Sequence, residues 1–508
     1  MKKSAPIDPV AEATQQAEER ARAEAARREA AQEPDFTLPR AEARVYEKAK
    51  RVVIAAAMNN APVSKKFWAA LQAYAKRNEA EFLVQPMRYR NPTSPQESKK
   101  QEEGLWWAKE VQPHLSTNRL QLHRLLWYMG DVPVAATALN PLTGLDSMTR
   151  GASAVFGHGQ MAMETVPTPQ NVLPKILHTT GAVTEPIYSK SKAGRRAEFH
   201  HTLASLVIEK SGSAFHLRQL IADSEGGFYD IAGGEARYYH AGGSRKAERA
   251  LALVTGDTHV DRVDPTVVKA TYDKGGLVGV LRPKQLIWHD LLDFQSDSHW
   301  NNPVERIALA FAGKHNVREE VKRALGFVEF YTPTDTLSVI VPSNHNDHLA
   351  RWALESDWRR VTPMNAAFLL QLQLALVRGA KAKASGVEQV DPLAWWAYRN
   401  LTGGTQIRFL RRGESHRVGG VEVGFHGDKG PNGSRGSRKN LDRMGTRSII
   451  GHSHSPGIYR GTRQVGTSSY LDLSYGVGGP SSWLQTHAVI WPNGKSQLIN
   501  VIDGQCFA

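Results

Sequence analysis

Residues 251–259 read Leu251-Ala252-Leu253-Val254-Thr255-Gly256-Asp257-Thr258-His259. The run from Leu251 to Val254 is apolar and favours a buried β-strand. The aspartate and the histidine that follow are one residue apart, and both are frequent metal ligands. Because α/β proteins bind ligands beyond the carboxyl ends of their strands, this stretch predicts a strand that ends at a binding site.

Four further blocks of the same kind follow in the C-terminal half of the chain. They are His289-Asp290-Leu291-Leu292-Asp293, Ser343-Asn344-His345-Asn346-Asp347, Phe425-His426-Gly427-Asp428 and Gly451-His452-Ser453-His454. Each lies at or just after a strand-like run, and these runs are Leu286 to Trp288, Leu337 to Val341, Val421 to Phe425 and Ser448 to Ile450. We expect five strand ends to direct carboxylates, imidazoles and one amide into a shared crevice. That mixture of ligands suits two divalent cations.

The order and spacing of the five blocks resemble the calcineurin-like metallophosphoesterases, whose pattern is D-x-H, G-D-x-x-D, G-N-H-[DE], H and G-H-x-H. The resemblance covers roughly residues 250–480, about half of the chain. It implies the fold of that family, an α/β sandwich of four layers (α/β/β/α) that contains two mixed sheets. It also implies hydrolysis of a phosphate ester by a two-metal mechanism with a bridging hydroxide as the nucleophile.

The resemblance further implies roles for individual residues. One ion would be held by Asp257, His259, Asp290 and His454. The other would be held by Asp290, Asn344, His426 and His452, so that Asp290 bridges the two ions. His345 would stabilise the transition state or protonate the leaving oxygen, and Asp293 would hold a ligand imidazole or a loop amide. Manganese is the expected ion, with iron, zinc or magnesium as alternatives.

Two positions depart from the family pattern. His289 stands where the family has glycine, and Asn346 stands where it has an acidic residue. Asp347 follows one position later, so either Asp347 or Asn346 would orient His345. Asp290, His345 and Asp347 are therefore the catalytic candidates. We expect His289, His315 and His348 to lie near the site without belonging to it.

Length and composition define the class of protein. A chain of 508 residues with 41% apolar residues predicts two domains and additional segments. The one cysteine, Cys506, excludes an internal disulfide and a cysteine-based metal site, so we expect the reducing cytoplasm, that of the host if the chain is phage-encoded. No apolar run is long enough to cross a bilayer, and we expect no membrane partner.

Three regions are expected along the chain. Residues 1–40 would form a charged, low-complexity arm that is poorly ordered or helical, 41–250 an N-terminal α/β region of undefined role, and 251–508 the metallophosphoesterase core. Within 41–250, a strand at 51–57, a helix at 64–78 and a strand at 80–85 predict a parallel α/β layer. Further strands are expected at 132–139 and 201–209. His158, His178, His200 and His201 lack acidic partners at ligand spacing, which favours loop or core positions over a second metal site.

Basic residues suggest the substrate. The net charge is +14 and the pI is near 9.6, values that favour a polyanionic partner over a small metabolite. A basic segment rich in glycine and serine separates His426 from His452, and its proposed DNA-binding residues are Lys429, Arg435, Arg438, Lys439, Arg443 and Arg447. We expect this segment to be a mobile loop at the rim of the site, extended by Arg460 and Arg463.

Within the family, the nuclease branch, which includes the SbcD-type repair nucleases, is the nearest functional analogue. The whole chain also resembles phage-encoded DNA-degrading proteins of this superfamily in the segments 59–62 and 190–196. The expected activity is a metal-dependent DNase acting on duplex or single-stranded DNA, in a homo-oligomer. A phosphomonoesterase or nucleotide hydrolase with the same ions, and a non-catalytic DNA-binding or assembly protein with a decayed site, are the alternatives.

Overall fold

The computed structural model describes residues 43–47, 49–89, 105–149, 151–169, 172–298, 301–384, 386, 390–401, 403–473 and 478–507. The N-terminal arm expected at 1–40 lies outside these residues. The described chain is a mixed α/β structure with several sheets, as the sequence predicts at this level. Among the described residues, no helix combines the length and the apolar character that crossing a bilayer requires.

The strands before residue 250 are β1 (Ala43–Val45), β2 (Arg51–Met58), β3 (Ala80–Met87), β4 (Arg119–His123), β5 (Leu126–Met129), β6 (Ser153–Phe156), β7 (Ala162–Val166), β8 (Lys175–Thr179), β9 (Ala204–Ser211), β10 (Ala214–Ile221), β11 (Phe228–Ala232), β12 (Glu235–His240) and β13 (Gly243–Lys246). Those after it are β14 (Ala252–Val254), β15 (Gln285–Trp288), β16 (Leu337–Ile340), β17 (Ile407–Phe409), β18 (Arg417–Val418), β19 (Val421–Glu422), β20 (Ser448–Ile450), β21 (Gly457–Tyr459), β22 (Thr462–Gln464), β23 (Thr486–Ile490) and β24 (Ser496–Asn500).

The helices are α1 (Lys65–Asn78), α2 (Lys192–His200), α3 (Pro265–Tyr272), α4 (Leu277–Leu281), α5 (Pro303–Phe311), α6 (Val317–Tyr331), α7 (Asn346–Glu355), α8 (Pro363–Ala384), α9 (Pro392–Asn400) and α10 (Arg438–Leu441). Helices α3 to α9 all lie between strands β14 and β17 in sequence. Long helical connections of this kind permit the strands that they join to run parallel.

A six-stranded sheet has the order β17-β16-β15-β14-β23-β24. Strands β14, β15, β16 and β17 are parallel neighbours, with Val254 opposite Ile287 and Ile287 opposite Val339. The strands predicted at 251–254, 286–288 and 337–341 are thus present as β14, β15 and β16. Because they are parallel, their carboxyl ends meet at one edge of the sheet.

An eleven-stranded sheet has the order β1-β4-β5-β6-β8-β7-β21-β22-β20-β19-β18. The strands predicted at 421–425 and 448–450 are β19 and β20 of this sheet, and β19 is shorter than predicted. The pairing of β21 with β7, in which Ile458 lies opposite Met163, joins strands from both sides of residue 250 in one sheet.

The sheets face one another across a shared apolar core. Buried residues of this core come from the six-stranded sheet (Val254, Ile287, Val339), the eleven-stranded sheet (Val421, Ile449, Ile458) and the four-stranded sheet β10-β9-β2-β3 (Ile54, Leu206). Each such side chain contributes about 1.5–3 kcal/mol on burial. A second core packs helices α6, α7 and α8 on the other face of the six-stranded sheet through Leu325, Val328, Leu349 and Leu369. The order of layers is therefore helices, six-stranded sheet and larger sheet.

The strand-helix-strand unit predicted near the N-terminus is confirmed. Strands β2 and β3 pair in parallel, and α1 between them buries Phe67, Leu71 and Tyr74 at helical spacing. Ser64 occupies the N-cap position, and Glu79 ends the helix in a left-handed conformation with φ of 52°.

The strand predicted at 132–139 is wrong, because this segment forms turns. Its carbonyl groups bind side chains of other elements: Val132 accepts from Gln85, Ala135 contacts the His158 ring, and Thr137 accepts from Arg196. Pro133 also lacks the N–H that a strand would use. The apolar alternation of the segment therefore reflects packing of a loop.

Two further elements lie in this region. The basic segment 189–196 is partly helical, since α2 begins at Lys192 and the Ser191 hydroxyl accepts a hydrogen bond from the Gly194 N–H. The strand expected at 201–209 begins three residues later, as β9. The histidines nearby bind protein groups: His178 contacts Gln219, and His201 contacts Tyr188.

A buried ionic network stabilises the four-stranded sheet. Arg218 on β10 pairs with Glu209 on β9 at 2.9 Å and with Asp230 on β11 at 2.8 Å, and all three side chains are almost fully buried. Tyr74 of α1 donates to Asp230 as well. The network therefore ties α1 and two sheets together.

We predict that Arg218→Ala lowers the free energy of unfolding by about 3–5 kcal/mol, because two carboxylates lose their buried partner. Urea denaturation followed by circular dichroism measures this change. The control is Arg195→Ala, which removes an exposed pair with Glu198 and should cost less than about 1 kcal/mol. Equal losses in the two variants would contradict the role of the network.

Candidate metal centre

The site forms where the ends of strands from the two large sheets meet. In the six-stranded sheet, β14 leads to Asp257 and His259, β15 to Asp290, and β16 to Asn344. In the eleven-stranded sheet, the residues after β19 and β20 are His426, His452 and His454. All seven residues that the resemblance assigns to metal binding thus lie at one end of the sandwich of sheets.

Four of these residues form one compact group. Ligand atoms of Asp257, His259, Asp290 and His454 all lie within 4.8 Å of one another, and the four residues are buried. The Nε2 atoms of His259 and His454 are 3.1 Å apart, and Nε2 of His454 is 3.3 Å from Oδ2 of Asp257. Ligands bonded to a metal at about 2.0–2.2 Å are separated by similar distances. This group could hold a metal ion, and it is the set that the resemblance implies for the first ion.

The residues implied for the second ion lie in two close pairs. Nε2 of His426 is 3.1 Å from Oδ2 of Asp290, and Nδ1 of His452 is 3.0 Å from Oδ1 of Asn344. The rings of His426 and His452 have their centroids 5.3 Å apart. Asp290 borders both sets, since its Oδ2 atom is also 3.8 Å from Nε2 of His259.

Unsatisfied polar atoms indicate that a cation fits here. Within the described part of the chain, Oδ1 of Asp257 and Oδ1 of Asp290 are buried and have no hydrogen-bond partner. Leaving such atoms unpaired costs about 1–3 kcal/mol each. A divalent cation would satisfy both because it accepts lone pairs from oxygen.

The backbone at the ligands is strained. His259, Asp290, His452 and His454 have φ values of 43°, 42°, 80° and 57°, in the left-handed region that side-chain-bearing residues rarely adopt. Each such residue costs of order 1 kcal/mol, and this kind of strain concentrates at functional sites. Here it turns ligands from separate strands toward a common point.

Charge interactions stabilise the ionised forms of Asp257, Asp290 and His426. Burial would raise the pKa of the Asp257 and Asp290 carboxyls, but His426 beside them holds the pKa of Asp257 below its usual value and that of Asp290 well below it. Burial would lower the pKa of His426, but the two carboxylates raise it to about 9. A cation that binds these ligands at neutral pH must therefore displace a proton from His426.

His345 and Asp293 lie beside the first group. Oδ1 of Asp293 is 3.3 Å from Nδ1 of His259, which matches its expected contact with a ligand imidazole. Nδ1 of His345 is 3.3 Å from the Asp293 carbonyl, and the ring of His345 stacks edge-on to that of His259 at 4.6 Å. Burial lowers the pKa of His345, which favours its neutral form.

Asn346 and Asp347 make other contacts than those expected for orienting His345. Oδ1 of Asn346 accepts the Leu292 N–H at 3.1 Å, and Asp347 pairs with Arg412. Asp293 is an acidic residue beside the His345 ring, with Oδ1 at 3.9 Å from Nδ1. The sequence signal for this role lay in the second block, which ends at Asp293.

Sequence reasoning overlooked Arg412. Its guanidinium donates to both carboxylate oxygens of Asp428, at 2.9 and 3.0 Å, and to Asp347. Asp428 lies two residues after His426, and Asp347 lies two residues after His345. Arg412 therefore links two of the loops that carry site residues. No motif identifies it, because its function depends on the approach of distant segments.

His289 belongs to the cluster, contrary to the expectation that it would lie outside. It is buried, and Nδ1 of its ring is 3.3 Å from Nδ1 of His426. Burial and the neighbouring His426 lower its pKa to about 4, so its ring is neutral. The signal in the sequence that could have identified His289 was the replacement of the family's glycine by histidine. Of the other nearby histidines, His348 contacts the His345 ring at 5.4 Å.

The basic segment between His426 and His452 is folded. It contains tight turns at Pro431–Gly433 and Asp442–Met444 and the short helix α10, and the Gly436 N–H donates to the Asp428 carbonyl. Its exposed basic side chains are Lys429, Arg435, Lys439, Arg443 and Arg447.

Two arginines, Arg438 and Arg463, lie differently from what the sequence predicted, whereas Arg447 is exposed. Arg438 is largely buried against Gly457, and burial lowers its pKa. Arg447 donates to the Gly494 carbonyl at 2.8 Å. Arg463 lies between Ile449 and Ile458 in the sheet and is 8% exposed, so it does not extend a surface rim. A β-strand alternates its side chains between faces, and the inward position of Arg463 follows from that register.

We predict that Gly451→Ala weakens binding of Mn²⁺ by at least about tenfold, the scale at which disturbed ligand positioning acts. A Cβ atom at this position would overlap Oδ1 of Asp257 and press on the His289 ring. Isothermal titration calorimetry measures the affinity. The control is Gly479→Ala, where an added Cβ meets no atom within 4 Å among the described residues. Wild-type affinity in Gly451→Ala would contradict the placement of Asp257.

No protein-family model matches the chain, and no solved structure matches it. The chain is 30% identical over 473 residues to protein A1 of Escherichia phage T5, across 90% of this chain and 83% of protein A1. The similarity therefore spans both the N-terminal strands and the whole metal centre. The chain belongs to the family of phage T5 protein A1.

Proposed function

We propose that the chain is a metal-dependent nuclease that hydrolyses DNA phosphodiester bonds at a dinuclear centre. The observation that carries the proposal is the pair of ligand sets that meet at Asp290, with His345 beside them. Two ions that share a carboxylate form the arrangement that many enzymes use for phosphate-ester hydrolysis.

The proposal includes the metallophosphoesterase fold. Support comes from the two large sheets that share one core and from the helices that cover the six-stranded sheet. A four-layer α/β/β/α sandwich of two mixed sheets is the arrangement that we infer. Residues 41–250 would then add strands to the larger sheet of the 251–508 core, through the pairing of β7 with β21.

Each ligand has a defined part in holding the ions. Asp257, His259, Asp290 and His454 would hold one, and Asp290, Asn344, His426 and His452 the other. When bound, two such ions supply an acidified water as nucleophile and neutralise charge on the phosphate. Manganese is the ion that we propose for assays.

His345 supplies the proton chemistry. It contacts Asp293, whose carbonyl and carboxylate both lie on the Nδ1 side of the ring. As an imidazolium, the ring would keep its Nδ1 proton toward Asp293 and transfer its Nε2 proton to the leaving oxygen. Asp347 remains a proposed contributor through Arg412, which ties it to the loop of His426.

The folded basic segment would bind the DNA backbone. It begins at His426 and ends at His452, so both of its ends lie at the metal centre. Lys429, Arg435, Lys439 and Arg443 are exposed and can contact phosphates, whereas Arg438 would support the segment from inside. Exposed cations beside the reacting groups would position a phosphodiester without reading its sequence.

We predict that Asp290→Asn abolishes cleavage and removes binding of the second Mn²⁺, because the shared carboxylate is lost. His345→Gln should keep Mn²⁺ binding and lower kcat by about 10²–10⁴-fold, the usual contribution of a general acid. Cleavage of linear and circular duplex DNA in the presence of Mn²⁺ measures the activity, and calorimetry measures the ions.

A small chromogenic phosphate monoester, assayed in parallel, tests the alternative of a phosphomonoesterase. Faster turnover of this ester than of DNA would overturn the nuclease assignment. DNA binding without cleavage in any divalent metal would indicate a non-catalytic protein. The control variant His240→Gln changes a histidine of β12 and should retain wild-type cleavage.

We predict that joint replacement of Arg435, Lys439 and Arg443 by serine weakens DNA binding and reduces the slope of log K against log salt by about 2–3, since each lost phosphate contact removes about 0.7–0.9. Binding titrations at several salt concentrations measure this slope. The control replaces Lys65, Arg124 and Arg318 by serine. These three residues are exposed outside the basic segment, and their replacement removes the same number of positive charges. An equal change of slope in both triple variants would reject the basic segment as a DNA-binding surface.

A further inference from the structure

His289 occupies a position at which an imidazole is unexpected. In the resembling family this position is a glycine, which has no side chain to offer. Here the residue is fully buried at the end of β15, directly before the shared ligand Asp290. Nε2 of His289 has no hydrogen-bond partner among the described residues. The other nitrogen, Nδ1, faces Nδ1 of His426 at 3.3 Å, a separation at which one ion could bind both nitrogens.

The surroundings of His289 have the geometry of a metal site. Ligand atoms of Asp257, His289 and His426 lie within 4.8 Å of one another. Nδ1 of His426 is 3.3 Å from Nδ1 of His289 and 3.9 Å from Oδ1 of Asp257. Ligand atoms bonded tetrahedrally at about 2.1 Å are about 3.4 Å apart, so an ion between these three groups requires only small shifts.

The two oxygens of Asp257 face different groups. Oδ2 accepts the His452 N–H at 2.7 Å and approaches His454 of the first group. Oδ1 is buried, has no hydrogen-bond partner in the described chain, and is the oxygen nearer to His426. One carboxylate can therefore reach an ion on each side. Gly451 leaves the space that Oδ1 and the His289 ring occupy.

We propose that His289 is a metal ligand, and that it holds the second ion together with Asp257 and His426. The proposal rests on the dinuclear centre of the proposed function but changes its second ligand set: Asp257 would be the carboxylate shared by the two ions, and Asp290 would bind the first ion alone. His426 has one nitrogen toward Asp290 and the other toward His289. The set with Asn344 and the set with His289 therefore compete for one imidazole, and the centre holds two ions in total.

This ligand set has a consequence for the metal. The set with His289 has two imidazoles and one carboxylate, whereas the set with Asn344 has two imidazoles, one carboxylate and one amide, so the site has fewer oxygen ligands. Imidazole ligands favour zinc, iron, cobalt and nickel, whereas oxygen ligands favour magnesium and manganese. The second position should therefore prefer Zn²⁺ to Mn²⁺ more strongly than a site with glycine in place of His289.

Two substitutions separate a ligand from a hydrogen-bonding neighbour. His289→Gly restores the family residue and removes the ring. His289→Gln retains an oxygen that can accept a hydrogen bond from Nδ1 of His426, but an amide is a poor ligand for Zn²⁺. If His289 only orients His426, glutamine should substitute for it. If His289 binds the ion, glutamine should fail.

The test uses the full chain and Zn²⁺ alone, without DNA. Anomalous scattering from Zn²⁺-soaked crystals should place an ion within about 2.3 Å of a His289 nitrogen. In calorimetry, both variants should bind the second Zn²⁺ at least about tenfold more weakly, with a smaller change for Mn²⁺. His240→Gln is the control and should bind both metals as the wild type does.

An ion farther than about 3.5 Å from His289 would overturn the proposal, because no metal–nitrogen bond reaches that length. Wild-type Zn²⁺ affinity in His289→Gln would overturn it as well. These readouts do not depend on DNA cleavage. A centre that binds Zn²⁺ through His289 yet cleaves no DNA would reject the proposed nuclease and leave the ligand assignment intact. A centre that cleaves DNA without contact between His289 and an ion would reject the ligand assignment and leave the proposed nuclease intact.

Discussion

The site depends on one carboxylate. Asp290 lies at the end of β15, in a left-handed conformation, with Oδ2 near His426 on one side and His259 on the other. The first imidazole comes from the eleven-stranded sheet and the second from the six-stranded sheet. The shared position of Asp290 is therefore possible only if the two sheets pack face to face, which the common apolar core ensures.

Much of this arrangement could be predicted from the sequence, because each ligand follows an apolar run. The runs before Asp257, Asp290 and Asn344 form parallel strands, and parallel strands bring their ends to one edge. The family pattern then supplied His426, His452 and His454, which belong to another sheet. Neither periodicity nor composition predicts the pairing of β7 with β21, since that contact spans almost three hundred residues.

The residues whose positions were predicted wrongly have one feature in common. The segment 132–139 has the apolar character of a strand, yet its carbonyls bind side chains from three other segments. Arg463 has the charge of a surface residue, yet the register of β22 turns it into the core. His289 was expected to lie outside the site, yet its ring contacts that of His426. In each case a contact between distant segments decided the position, and local sequence carries no record of such contacts.

The centre stores free energy that metal binding can recover. Its ligands combine positive φ values, buried oxygens without hydrogen bonds and a histidine that the carboxylates hold protonated near neutral pH. The positive φ values and the unpaired oxygens destabilise the metal-free chain, and a cation would satisfy the oxygens in place of the proton that it displaces from His426. The cost is tolerable because the surrounding frame is strongly held, by the apolar core between the sheets and by the buried pairs of Arg218. A rigid frame also keeps ligands from separate strands close together, with the Nε2 atoms of His259 and His454 3.1 Å apart, and so it favours metal binding.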